Sequence, residues 1–118
     1  MRSIQFYRQS NGACPVEVFL DSLSGKQAQK VLWVLRLVEE LEHIPGQYLK
    51  KLVNAEDIWE VRVQLGNDAW RLLGFFAQPT VLVLTHGFAK KTQKTPAQEI
   101  ATAIRRRADY WKQERGEK

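Results

Sequence analysis

IWEVRVQLGNDAWRLLGFFAQPTVLVLTHGF, residues 58–88, decides how this chain folds. In its first segment, IWEVRVQL (58–65), Trp59, Val61, Val63 and Leu65 point to one side, and Glu60, Arg62 and Gln64 to the other. A side-chain period of two belongs to a strand with one buried face. Gly66-Asn67-Asp68 supplies a tight turn, since these residue types tolerate the backbone angles a turn demands. AWRLLGFF (69–76) reads as a second strand, with Arg71 set among large apolar neighbours. Gln78-Pro79 turns the chain again, and TVLVLTH (80–86) forms a third strand. That strand is apolar on both faces, the pattern of a position inside a sheet. Gly87 ends it.

Upstream, the period changes. SIQFYRQ (3–9) alternates loosely and reads as a strand, with a turn at Asn11-Gly12. Pro15 suits the first position of a short helix whose apolar face is Val16, Phe19, Leu20 and Leu23. Ser24 and Gln27 have capping-box spacing for a second helix. It is expected to run to Glu42, with Ala28, Val31, Leu32, Leu35, Val38 and Leu41 on one stripe, before Pro45-Gly46 stops it. Downstream, FAKKTQKT (88–95) is a basic loop. Thr95 is expected to cap a last helix, with Pro96 at its first position and Gln98 at capping-box spacing. Ile100, Ile104, Ala108 and Trp111 would form its apolar stripe, and Arg105, Arg106 and Arg107 its other sides. The order β-α-α-β-β-β-α predicts an α+β fold, a small and mostly antiparallel sheet with the helices packed on one face.

The 118 residues suit a single domain, 1–118, and a 44% apolar fraction is enough for a core. No segment approaches the roughly 18 uninterrupted apolar residues of a membrane span. MRSIQFYRQSNG lacks the apolar stretch of a signal peptide, and Cys14 is alone. These features predict a cytoplasmic location and exclude an internal disulfide or a cysteine-built metal site. The net charge of +5 is unevenly spread: residues 1–49 carry five basic and five acidic side chains, residues 50–118 thirteen and eight. Such asymmetry points to a polyanionic partner, a nucleic acid or an acidic protein, although an ordinary solvated surface has the same signature.

The chain has no Gly-rich phosphate loop, no HExxH and no nucleophile elbow. His43 and His86 are too few for a zinc site without other ligands. A basic set does recur on consecutive elements. Arg62 and Arg71 fall on adjacent meander strands, Lys90, Lys91 and Lys94 in the following loop, and Arg105–Arg107 on the last helix. On the open face of the sheet, Arg62 and Arg71 would be rimmed by the loop lysines, a positive surface suited to single-stranded RNA. RNA is cut when a base removes the 2′-hydroxyl proton and cations offset the charge on the phosphorane. Arg62, Arg71, Lys90, Lys91 and His86 are the candidates for that chemistry, and Lys94, Arg106, Lys50 and Lys51 for RNA contacts. Each has a plainer reading: Arg62 as the ion-pair partner of Glu60, His86 as a hydrogen-bonded strand end, the arginine triplet as a solvated helix face. Arg71 is harder to explain away, because an unpaired charge among apolar neighbours is costly.

The run from Ile58 to Phe76, followed by VLVLTHGFAKKTQKTPAQEIATAIRRRADY, resembles the phage-derived Gp49-like branch of the RelE/HigB toxins. His86-Gly87-Phe88, Lys90-Lys91-Thr92, Lys94-Thr95-Pro96, Glu99-Ile100, Ala103, Arg106 and Asp109-Tyr110 carry the likeness, together with PVEVFLDSL near the N-terminus. The resemblance implies a microbial-RNase-like α+β fold. It implies an mRNA endonuclease of a type II toxin-antitoxin system that cleaves codons in the ribosomal A site, leaving a 2′,3′-cyclic phosphate without metal or cofactor. It also implies a neighbouring antitoxin, often a helix-turn-helix protein. Arg62 and Arg71 match the strand sites of the pattern, and Lys90 or Lys91 the loop site. Two departures stand out: Glu60 occupies a strand site that is basic in RelE, and RelE's tyrosine early in its last helical segment has no counterpart in TQKTPAQEI. His86 and Lys91 are therefore both candidates for the base. Two other readings remain: a ParE-like poison of DNA gyrase, which shares the fold without the nuclease residues, and an inactive RNA-binding relative.

Overall fold

The computed structural model describes residues 1–116. Its elements are β1 (Ser3–Phe6), α1 (Pro15–Asp21), α2 (Gly25–Glu40), β2 (Leu49–Lys51), β3 (Trp59–Leu65), β4 (Asp68–Gln78), β5 (Val81–Ala89) and α3 (Ala97–Glu114). Among the described residues the strands form one sheet in the order β1-β5-β4-β3-β2. The meander β3-β4-β5 is antiparallel, as the alternation and turns predict, and β5 lies in the interior. The β3-β4 hairpin closes on Gly66, whose φ of 61° falls in the left-handed region that glycine enters without strain. β1 pairs with β5 in parallel, and β2 adds an antiparallel edge beside β3. β2 has no alternation long enough to read from sequence. β1 stops at Phe6, short of the expected Gln9, because Tyr7 turns inward and its hydroxyl donates to Asp109 on α3. Burial, and after it that contact, push the Tyr7 hydroxyl up to about 12.

The expectation of helices on one face is corrected. α1 and α2 cover one face, against Val61, Val63, Trp70, Leu72, Leu82 and Leu84. α3 lies on the other, against Leu73, Phe75 and Val83. Both sides of β4 and β5 are apolar at one end, so a helix on a single face would leave the other side wet.

Helix α2 starts with the expected capping box between Ser24 and Gln27. It ends at Glu40 rather than Glu42, and its buried stripe is Val31, Val34, Leu35 and Val38. Those positions repeat at the helical spacing, whereas Leu32 falls one residue off the stripe and is 49% exposed. Helix α3 differs more. Pro96, not Thr95, stands at the cap position, and no side chain caps the helix. Ala103 is its buried residue, with Ile100, Ile104 and Tyr110 packed beside it, while Ala108 and Trp111 are exposed. The ring of Tyr110 meets Phe75 edge-on at 5.4 Å.

A β-bulge sets the faces of β5. Leu73 pairs with His86 and Gly74 with Leu84, so Thr85 is the extra residue. Without it, residues 84 and 86 would share a face. With it, Leu84 joins the α1/α2 core and His86 turns to the α3 side. Gly87 returns to the α1 side, where a Cβ would meet the Phe19 ring at 2.5 Å. Glycine is thus required where α1 packs on the strand.

Candidate active site

Arg62 and Arg71 are direct cross-strand partners on the face away from α1 and α2. Like charges in that position repel. Glu60, two residues before Arg62 and therefore on the same face, resolves the conflict. Its Oε1 lies 3.5 Å from Nε of Arg62 and 3.3 Å from Nε of Arg71. Its Oε2 accepts a hydrogen bond from the hydroxyl of Thr95. Thr95 thus fastens the basic loop to the sheet instead of capping α3, which is why that cap is missing. Arg71 also donates from Nη1 to the carbonyl of Trp70 at 3.0 Å. Burial pushes the Arg71 guanidinium below its ordinary range, Glu60 opposes that shift, and nearby Arg62 adds to it. The side chain of Arg62 is 32% exposed and that of Arg71 only 9%, so Arg62 is the more accessible of the two.

The loop after β5 arches over this cluster. Arg71, Phe88, Lys90, Lys91, Lys94, Thr95 and Glu99 line a cleft of about 350 Å³. The backbone N–H of Lys90 is held by the carbonyl of Ala69, which fixes the start of the loop. Among the described residues, the side chains of Lys90, Lys91 and Lys94 form no ion pair or hydrogen bond. Arg71 and three lysines against the carboxylate of Glu99 give the cleft lining a surplus of positive charge. Lys50 stands opposite Glu60 in the β2-β3 register and is exposed on this face.

The remaining predicted residues sit differently. His86 is on the correct face but buried, with its ring stacked on Phe88 at 5.7 Å. Nε2 lies 3.1 Å from Oε1 of Glu99, and Nδ1 lies 2.9 Å from the hydroxyl of Thr85. The Thr85 hydroxyl also donates to the carbonyl of Leu73 at 3.2 Å, so both ring nitrogens of His86 are tied into a network within the protein. Burial holds the imidazole below its usual range, against the opposing pull of Glu99. Arg106 is not in the cleft. Its Nη1 donates to the carbonyl of Thr85 from the far side of β5, at 3.3 Å. Lys51 lies at the sheet edge, paired with Asp57 at 2.8 Å.

Sequence reasoning underrated Glu60 and missed Thr95 as part of the site. The alternation already placed Glu60 beside Arg62, but its approach to Arg71 depends on strand register. Nothing local signals the Thr95 contact, which joins residues 35 apart in the chain.

Clustered cations beside a groove, with a carboxylate holding them in place, are suited to gripping a phosphodiester and offsetting charge on it. No curated protein matches the chain. The model of phage-derived Gp49-like proteins (DUF891) matches residues 18–108, which includes Glu60, Arg62, Arg71, His86 and the whole basic loop. The chain therefore belongs to the Gp49-like phage-derived protein family, part of the RelE/HigB-like toxin superfamily of toxin-antitoxin systems.

Proposed function

We propose that this toxin is an endoribonuclease that cuts mRNA in the A site of the ribosome, acting in the cytoplasm as a single domain. One observation carries the reading: Arg62 and Arg71 face each other across the β3-β4 ladder, held by one buried carboxylate, beneath a loop with three unengaged lysines. In the reaction, the ribose 2′-hydroxyl loses its proton to a base, its oxygen attacks the adjacent phosphorus, the bond to the 5′-oxygen breaks, and that oxygen takes up a proton from water. The products are a 2′,3′-cyclic phosphate and a 5′-hydroxyl end. Arg71 and Arg62 offset the charge gathering on the phosphorane oxygens, and Lys90 holds the phosphate from the loop. Lys94 and Lys50 contact flanking phosphates.

The proton acceptor is assigned to Lys91 rather than His86. Both ring nitrogens of His86 are engaged within the protein, whereas the Lys91 amine is free. His86 instead orients Glu99 and Phe88 along the cleft wall. These cations can carry the reaction without a metal ion, so activity should survive EDTA.

Family membership supplies the other partner, a cognate antitoxin, and a helix-turn-helix protein encoded nearby is the form proposed here. Purified protein added to a translating extract should produce cuts within codons that depend on ribosomes, mapped by primer extension. Intact mRNA in that extract, alongside blocked supercoiling by DNA gyrase, would replace this reading with a ParE-like one. Lys91→Arg keeps the charge but resists deprotonation. Its activity should fall as far as that of Lys91→Ala, and full activity in Lys91→Arg removes Lys91 as the base.

A further inference from the structure

The cleft beneath the basic loop includes a group that holding a phosphate does not explain. Among Arg71 and the three loop lysines stands a carboxylate, that of Glu99. A negative charge there weakens the hold on every phosphate by Coulomb repulsion. The first turn of α3 accounts for an acidic residue at position 99, since a helix N-terminus attracts negative charge. It does not account for a carboxylate tied down against the cleft.

The tie is a chain of contacts rooted in the sheet. The Thr85 hydroxyl donates to the carbonyl of Leu73 at 3.2 Å and lies 2.9 Å from Nδ1 of His86, whose Nε2 lies 3.1 Å from Oε1 of Glu99. The Glu99 side chain is still 30% exposed, and among the described residues its Oε2 makes no hydrogen bond or ion pair. Phe88, half-buried, lines the same cleft and packs against the His86 ring at 5.7 Å. An aromatic ring and a fixed group that only accepts hydrogen bonds thus border the place where Arg71 and the lysines can hold a phosphate.

The four RNA bases differ along their Watson–Crick edges. Adenine and cytosine set a ring-nitrogen acceptor beside an amino group, and uracil flanks its one N–H with two carbonyls. Each of these turns an acceptor toward a carboxylate. Guanine alone offers two adjacent donors, N1–H and the 2-amino group, which match the two oxygens of a carboxylate. We propose that the cleft reads guanine: Phe88 stacks on the base, and the Glu99 carboxylate, positioned by His86, accepts hydrogen bonds from N1–H and the 2-amino group. Arg71 and the lysines hold the adjacent phosphate. Guanine is the base that offsets the repulsion from Glu99, which makes Glu99 a specificity-determining residue. That the guanine stands at a cut site rests on the nuclease reading, whereas guanine binding itself does not.

The test uses fluorescein-labelled pentanucleotides in the 2′-O-methyl form, which lacks the attacking hydroxyl. All are uridine except at the centre, which is guanosine, inosine, adenosine, cytidine or uridine. Fluorescence anisotropy with the intact protein should show guanosine bound about tenfold or more tightly than adenosine, cytidine and uridine. Inosine keeps N1–H but lacks the 2-amino group and should fall between them, a comparison that needs no variant. Glu99→Gln should weaken the guanosine oligonucleotide about tenfold and leave the all-uridine one bound as tightly or more so, because a negative charge is gone. Equal affinity for all five, undetectable binding included, overturns the proposal, as does a guanosine preference that survives Glu99→Gln. Equal weakening of all five in that variant also overturns it, since Glu99 would then shape the cleft without reading a base. A guanosine preference through Glu99 in a protein that cuts no mRNA would leave the guanine site standing and remove the nuclease reading alone. Ribosome-dependent cuts by a protein with no guanosine preference would do the reverse.

Discussion

On the face covered by α1 and α2, strands β3, β4 and β5 present Val61, Val63, Trp70, Leu72, Leu82 and Leu84, all buried. Toward α3, the same strands present Phe75 and Val83 at one end and Arg62 and Arg71 at the other, with Glu60, Leu73 and His86 in one cross-strand row between them. The first face is closed by two helices and contains no charge that needs a partner. The second is closed only where it is apolar. Where it is charged, a loop replaces the helix and a cleft remains. Burying Glu60 and Arg71 carries a desolvation cost that a well-packed apolar pair avoids. The pairing of one carboxylate with two guanidiniums offsets part of that cost, and Arg71 lines the cleft with the three loop lysines. One face thus serves stability, and the other gives up some stability for a charged site.

The sharpest way to break this contrast is to disturb each face in turn. Leu72→Ala, at a fully buried position of the closed face, should cost about 2–5 kcal/mol of stability. Urea titration followed by circular dichroism measures it, and a loss below about 1 kcal/mol would mean that this face is not the stabilising one. Arg71→Ala should act the other way round. Ribosome-dependent cleavage should fall by about 10²–10³, the range for removing one stabilising donor of a transition state, while the protein stays folded. Wild-type cleavage by that variant would take Arg71 out of the site.

Glu60→Gln is milder. It keeps the shape but removes the charge that holds both arginines, and a drop of about tenfold in cleavage is expected, from the weaker pairing of neutral hydrogen bonds. An unchanged rate would show that the arginines hold their positions without it. The smallest effect concerns pH. The His86 imidazole is held below its ordinary value of 6.5, so the unfolded chain takes up the proton more readily than the fold. Stability should be unaffected above about pH 6.5 and decline as the pH falls below it. His86→Asn should flatten that part of the decline in melting temperature. An identical slope in both proteins would mean that other groups control it.

Much of the fold was legible because its signals are local. The period of two in 58–65, the Gly66-Asn67 turn and the Ser24–Gln27 capping box each depend on residues a few positions apart. The α1 face could be read in the same way. β2 escaped because three residues, Leu49–Lys51, show no period. The stripe of α3 was read in part: Ile100 and Ile104 pack on the sheet, but Ala108 is exposed and Phe75 meets Tyr110 as well as the half-exposed Trp111. In the candidate site, Arg62, Arg71 and the loop lysines were evident as a basic set. His86 was evident only as a residue type. Its burial between Thr85 and Glu99 follows from contacts with another element.

By itself the sequence determined the strand and helix order, the basic excess of the C-terminal half, and the presence of Glu60, Arg62 and Arg71 on one side of their strands. Those properties rest on side-chain period and composition, which neighbouring residues fix without help from distant ones. The tertiary structure alone decided which charges meet. Strand register placed Arg62 opposite Arg71, the Thr85 bulge turned His86 to the α3 side, and the early departure of the chain at Tyr7 left the β5 edge bare. Each of these joins residues far apart in the chain, and the energy that selects them arises only when the layers pack.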